Sequence, residues 1–246
     1  MTFNEFNFKE LLQKAIDEAG FKEPSPIQEQ AIPFVLAGRD IVGQAHTWTG
    51  KTAAFGLPIL NNMKGNSGVE AVVIVPTREL AMQVSDELYR FGKFLGVNTA
   101  TVYGGQAYAR QIKLIENAGI IVATPGRFLD LLRGSKIDIK PDYVILDEAD
   151  EMLDMGFLDD IKEIFTFLPA ERQTLLFSAT MPVAIKNLAK TILNNPEFIT
   201  LTKSDVTNSK ITQTFYVVDE RERDDALIRL YDYKNPSKSI IFCRTK

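Results

Sequence analysis

The sequence predicts an α/β fold in which a parallel sheet carries helices on both faces, and three features point there. Short apolar, β-branched runs recur along the chain, a longer stretch with helical spacing follows each of them, and several runs end in Gly, Pro or Thr just before that stretch. Strands buried on both faces read as such uninterrupted apolar runs, and a helix after each run supplies the crossover that parallel neighbours require.

Two helices precede the first strand: residues 8–20, amphipathic and closed by Gly20, and residues 30–36, ending before Gly38. Strands are predicted at 40–45, 71–75, 99–103, 120–123, 143–147 and 174–178. Residues 202–210 are polar and poor in apolar side chains, as a linker is, which places a boundary near residue 205. Beyond it the pattern predicts a strand at 211–218, a helix at 224–233 and a strand at 239–243. The expected organisation is therefore one domain over 1–205 and the opening of a second over 206–246. Two strands and a helix bury too little apolar surface to be stable alone. This tail is expected to pack on the first domain, or to offer a strand edge to another copy of the chain and so form a homodimer.

Composition excludes several classes. With 45% hydrophobic and 24% charged residues, the 246-residue chain has the balance of a soluble globular protein. No apolar run approaches the roughly 20 residues of a membrane span, so no membrane partner is expected. Cys243 is the only cysteine, which rules out an internal disulfide and fits a reducing, cytoplasmic setting. His46 is the only histidine, so a histidine metal cluster is ruled out. The 28 basic residues face 32 acidic ones, for a net charge of -4. Nucleic acid would have to be bound by local groups rather than a broad basic surface.

The chemistry begins at residues 45–52, Ala45-His46-Thr47-Trp48-Thr49-Gly50-Lys51-Thr52, which follow a strand and open a helix. Backbone amides at a helix N-terminus attract phosphate, Lys51 can reach the outer phosphates, and the Thr52 hydroxyl can ligate Mg²⁺. Ala45 stands where the phosphate-loop pattern has glycine. A second signal lies at Asp147 and Glu148, two adjacent carboxylates delivered at the C-terminal end of a strand, the edge at which open parallel sheets bind ligands. Asp147 suits a Mg²⁺ ligand and Glu148 the group that orients and deprotonates a water.

Three other strand ends are chemically alike, since Pro76-Thr77-Arg78, Gly104-Gly105 and Thr124-Pro125-Gly126-Arg127 all lead into helices. Helix N-termini, small residues and isolated arginines suit phosphate and sugar contacts without base reading. Taken singly, each is as well explained by ordinary helix capping.

Asp147-Glu148-Ala149-Asp150 is literally the sequence that names the DEAD-box RNA helicases, and the chain resembles a bacterial-type member of that family along essentially its whole length. The resemblance implies a RecA-like P-loop NTPase fold, ATP and Mg²⁺ as ligands, and RNA as substrate through Pro76, Thr77, Arg78, Gly104, Gly105, Thr124, Pro125, Gly126 and Arg127. It implies that residues 21–28 read adenine through Phe21 and Gln28, with Phe3 as the upstream aromatic, and that Ser178-Ala179-Thr180 links hydrolysis to strand separation. It also implies a second RecA-like domain of the same protein as partner, whose first motif residues 240–246 resemble. His46 departs from the family's usual glutamine, and Trp48 from its glycine. Trp48 is therefore expected to weaken or reshape ATP binding. Two further readings stand beside the helicase core: a catalytically silent nucleotide- or RNA-binding module, and a small-molecule kinase, against which the paired carboxylates and the lack of a lid-like insertion weigh.

Overall fold

The computed structural model describes residues 1–46, 49–65, 68–201, 212 and 214–243. The chain divides into two compact units, residues 1–206 and 207–246. Thr47 and Trp48, and with them the expectation about the Trp48 ring, lie outside the described residues, as do 202–211 and 244–246.

The first unit is built on seven parallel strands: β1 (Ile41–Gln44), β2 (Ala71–Ile74), β3 (Thr99–Val102), β4 (Ile120–Ala123), β5 (Tyr143–Leu146), β6 (Gln173–Ser178) and β7 (Glu197–Thr200). Their order across the sheet is β3-β4-β2-β5-β6-β1-β7, with every pairing parallel. The strand period of two sends alternate residues into two cores. On one face Ile41, Val73, Ile145 and Leu175 pack with α1 (Glu10–Glu18), α2 (Pro26–Leu36), α3 (Lys51–Asn62) and α4 (Arg78–Gly92). On the other, Val42, Val72, Val144 and Leu176 pack with α5 (Tyr108–Ile115), α6 (Pro125–Arg133), α7 (Ala149–Asp154), α8 (Leu158–Phe167) and α9 (Val183–Ile192). The doubly covered parallel sheet is the α/β class that the apolar runs predict.

Two departures in this unit have local causes. The second helix starts at Pro26 rather than residue 30, because Ser25 and Gln28 form a reciprocal capping box and Pro26 occupies the first helical turn. Strand β7 is not signalled by the sequence pattern. It is an edge strand paired only to β1, with Ile199 as its one buried residue, so its sequence carries no run of apolar positions.

In the second unit the predicted helix forms, as α10 (Arg223–Lys234). The predicted strands do not: residues 214–218 and 239–243 carry no strand. Their side chains are unburied, Phe215 being 88% exposed and Phe242 91%. A strand exists through its ladder, and neither segment pairs with another among the described residues of this unit.

Candidate active site and strand-end surface

Gly50 caps α3 at φ +85°, a conformation open to glycine at little cost. A Cβ there would sit 2.4 Å from Gln28 Nε2, so a side chain would also displace that amide. The loop around it is braced from the segment before α2. Ser25 Oγ donates to the Thr49 carbonyl (2.7 Å) and Gln28 Nε2 to the Gly50 carbonyl (3.0 Å), while Gln28 Oε1 accepts from the Ser25 amide (2.8 Å). Thr49 Oγ1 donates to the His46 carbonyl, and the buried Ala45 amide donates to the Ser178 carbonyl. His46 itself is exposed.

Lys51 opens α3 and is buried, as are Asp147 and Glu148 at the end of β5. Its Nζ lies 2.7 Å from Glu148 Oε1 and 3.5 Å from Asp147 Oδ1. Asp147 Oδ1 also accepts the Glu148 amide at 3.0 Å. Burial pushes the Asp147 carboxyl up to about 6, against the pull of Lys51 and with the Glu148 charge adding to the rise. Glu148 holds the left-handed conformation, φ 54° and ψ 52°, which costs a residue with a side chain about 1–2 kcal/mol. Such strain concentrates where a side chain must be aimed.

Gly50, Lys51, Thr52, Asp147 and Glu148 line one cavity of about 310 Å³. Glu87 of α4 lines it too, a residue that no motif in the sequence singles out. Burial raises its pKa and a hydrogen bond with the Thr52 hydroxyl lowers it, the rise prevailing. A signal is nonetheless present: Leu80, Val84 and Glu87 fall at i, i+4 and i+7, so an acid borders the buried stripe of Ala81, Val84, Leu88 and Phe91 on an amphipathic helix.

Beside this cavity Asp150 ties α7 to the end of β6. Its carboxylate accepts the amides of Ala179 (3.3 Å) and Thr180 (2.9 Å) and the Thr180 hydroxyl (2.8 Å). Ser178 Oγ accepts the Asp150 amide and donates to the Thr180 carbonyl. Burial would raise Asp150, but the hydrogen bonds from Thr180, Ser178 and Ala179 outweigh it and hold the carboxyl below its ordinary value.

The remaining predicted segments follow β2, β4 and β3, which are neighbours in the sheet. Thr77 Oγ1 caps α4 by accepting the Leu80 amide (3.2 Å), and Arg78 reaches Glu79 at 3.0 Å in solvent. Gly104 and Gly105 are exposed, Gly105 at φ +89°. Thr124 and Pro125 start α6, with Gly126 in its first turn. Arg127 Nη1 donates to the Gln106 carbonyl (2.7 Å) and to Gln111 Oε1 (3.0 Å), and the guanidinium lies 4.2 Å from the Tyr108 ring.

Two residues expected at the adenine also have partners within the protein. Phe3 is a core residue, 2% exposed, with its ring against Phe6 and edge-on to Phe21. Half-buried Phe21 touches both Phe3 and Phe91. Gln28 is likewise 2% exposed and commits both ends of its amide to the protein, so here it acts as a brace of the phosphate loop.

Known proteins agree with this geometry. The DEAD/DEAH box helicase pattern matches residues 25–188. The chain is 57% identical over 247 residues to the DEAD-box ATP-dependent RNA helicase RhpA of Helicobacter pylori, with 100% of this chain and 50% of the relative covered. It is 47% identical over 249 residues to the DEAD-box ATP-dependent RNA helicase CshA of Bacillus subtilis, again with 100% and 50% covered. The chain thus spans about half the length of the curated relatives it matches. The crystal structure of a DEAD box protein from the hyperthermophile Methanococcus jannaschii superposes with a TM-score of 0.80 at 42% identity, over 94% of this chain and 63% of that one. On this evidence the chain belongs to the DEAD/DEAH box helicase family.

Proposed function

We propose that residues 1–205 form the N-terminal, RecA-like ATP- and RNA-binding domain of an ATP-dependent RNA helicase, and that 206–246 are a linker and the opening of its second RecA-like domain. In the whole protein, ATP hydrolysis would drive local separation of an RNA duplex in the cytoplasm. The observation that carries this reading is the buried triad: Lys51 Nζ at 2.7 Å from Glu148 and 3.5 Å from Asp147, at the mouth of a glycine-capped helix N-terminus.

The α3 N-terminus and Lys51 bind the phosphates of ATP. Lys51 exchanges its carboxylate partner for phosphate, and Glu148 orients the attacking water and takes its proton. The donors fit Mg²⁺: Thr52 Oγ1 and Asp147 are hard oxygen groups on one cavity, few in number, as suits an ion whose shell is completed by water and phosphate. Mg²⁺ held there supplies neutralisation of charge on the phosphate oxygens. Asp150, Ser178 and Thr180 connect the triad to the end of β6 and so couple it to RNA. Arg78, Arg127, Gly104, Gly105 and the helix starts at Thr77 and Thr124 hold the RNA backbone, which suits a chain whose net charge is -4.

The test is titration of the chain with a fluorescent ATP analogue and with labelled single-stranded RNA, alongside ATP turnover. Both ligands should bind, and Lys51→Ala should lose the nucleotide alone. Turnover should stay low with or without RNA, because an arginine from a partner domain is worth roughly 10³–10⁵ in phosphoryl transfer. Failure to bind either ligand would overturn the reading, and strong RNA-stimulated turnover would overturn the need for the second domain.

A further inference from the structure

Gln111 is fully buried in α5, although an amide left without partners there would be costly. Both ends of its side chain are engaged. Nε2 donates to the Tyr103 carbonyl (2.9 Å), the residue directly before Gly104-Gly105, and Oε1 accepts from Arg127 Nη1 (3.0 Å). The same Nη1 donates to the Gln106 carbonyl, so both its hydrogens are taken by the 106–111 segment. Stacking against Tyr108 fixes the guanidinium plane. No hydrogen bond is formed by Arg127 Nε or Nη2 among the described residues, which leaves these two as the donors for a phosphate.

We propose that Gln111 is a positioning residue of the RNA-binding surface: its single amide locks the turn at Gly104-Gly105 to the guanidinium of Arg127, so that segments after two different strands meet the RNA backbone as one rigid unit. This rests on the RNA reading of those segments. Arg127 has many rotamers, and a long charged side chain that must be ordered on binding loses affinity to that ordering. Holding Nη1 from behind removes the loss before RNA arrives. A glutamine suits the task better than an acid, since a carboxylate would compete with phosphate for the same guanidinium.

The experiment compares the chain with its Gln111→Met, Gln111→Glu, Arg127→Ala and Gln111→Met/Arg127→Ala variants. Fluorescein-labelled single-stranded RNA reports one affinity by anisotropy, a fluorescent ATP analogue reports the other, and thermal melting monitors the fold. Gln111→Met should weaken RNA binding roughly five- to tenfold and leave nucleotide affinity within about twofold, in line with the loss of two hydrogen bonds. The double variant should lose less than the product of the two single losses, because the amide acts through Arg127. Should the methionine variant not fold, Gln111→Glu, which keeps an acceptor, should still weaken RNA and spare the nucleotide. Wild-type RNA affinity in Gln111→Met, with Arg127→Ala impaired, would overturn the proposal. A parallel fall in both affinities would also overturn it, by showing a merely structural role. Unchanged RNA binding in Arg127→Ala would instead refute the RNA reading beneath it.

Discussion

The C-terminal edge of the sheet has two halves that are built by opposite means. At β5, β6 and β1, the charged groups engage one another: buried Lys51, Asp147 and Glu148 share a cavity, and half-buried Asp150 is wrapped by residues 178–180. At β3, β4 and β2, the groups are exposed or half-buried and are braced from behind, Arg127 by Gln106 and Gln111, and Thr77 by its cap on α4. A reaction that develops charge gains from preorganised groups in a dry site, where each interaction is strong. A surface that holds a polyanion needs donors in solvent and gains most from their being ordered. Mutations should therefore register as stability and nucleotide effects in the first half, and as RNA effects with the fold intact in the second.

The largest effect should come from Lys51→Ala. It removes the cation between two buried carboxylates, and breaking such a buried pair costs about 3–5 kcal/mol. The variant should melt well below wild type at pH 8, recover part of the loss toward pH 5 as Asp147 takes up its proton, and bind nucleotide at least about 100-fold more weakly. RNA affinity at low temperature should stay within about twofold of wild type, on the logic that sites apart act independently. An equal loss of RNA binding would show that the two halves are one site.

Asp147→Asn should act in the opposite sense on stability. The carboxyl is raised from 3.8 to about 6 by burial, so the folded state holds its proton more tightly than the unfolded chain does. Its contribution is most favourable below 3.8 and is lost progressively as pH rises to 6. A rise of that size corresponds to roughly 3 kcal/mol lost at neutral pH. Urea unfolding in EDTA should find Asp147→Asn more stable than wild type at pH 7–8 and equal to it near pH 4. If the variant is instead the less stable of the two at pH 8, Lys51 pairing outweighs burial.

A smaller effect is expected for Thr180→Val, which deletes the 2.8 Å hydroxyl bond to Asp150. At this exposed position the cost should be about 1 kcal/mol in stability. Nucleotide and RNA should each bind as before. A change in either would place Thr180 in a binding contact and not in the link between the halves.

How much of this is legible in the sequence follows the same divide. The phosphate loop and the Asp147-Glu148 pair can be read because each is contiguous in sequence and strand context gives it meaning. The five interior strands can be read because burial on both faces leaves apolar runs, and the edge strand β3 because its β-branched threonines alternate with buried residues. Strand β7 cannot, since an edge strand with one buried residue has no such run, and no strand forms at 214–218 or 239–243 because apolar character alone supplies no partner. Glu87 and Gln111 escape for a different reason. Their roles arise where α4 meets Thr52 and where α5 meets Arg127, sixteen residues along the chain in the latter case, and no local pattern encodes that encounter. Gln28 stands out through its motif, yet its partners in this structure are Ser25 and Gly50.

The smallest effect, and the sharpest test of the exposed half, is Arg78→Ala. Arg78 stands in solvent with Glu79 as its only ion-pair partner among the described residues, at 3.0 Å. Exposed pairs of this kind contribute about 0–1 kcal/mol, so the melting temperature should hardly move. Thr77 still caps α4 and the helix start is intact, so nothing else at the end of β2 should shift. If the side chain neutralises one phosphate, RNA affinity should fall about equally for every sequence tested, and the slope of log affinity against log salt should become shallower by about 0.7. A sequence-dependent loss would mean that Arg78 reads bases. An unchanged slope would mean that Glu79 keeps the arginine out of the interface, and the exposed half would then rest on Arg127 and the backbone alone.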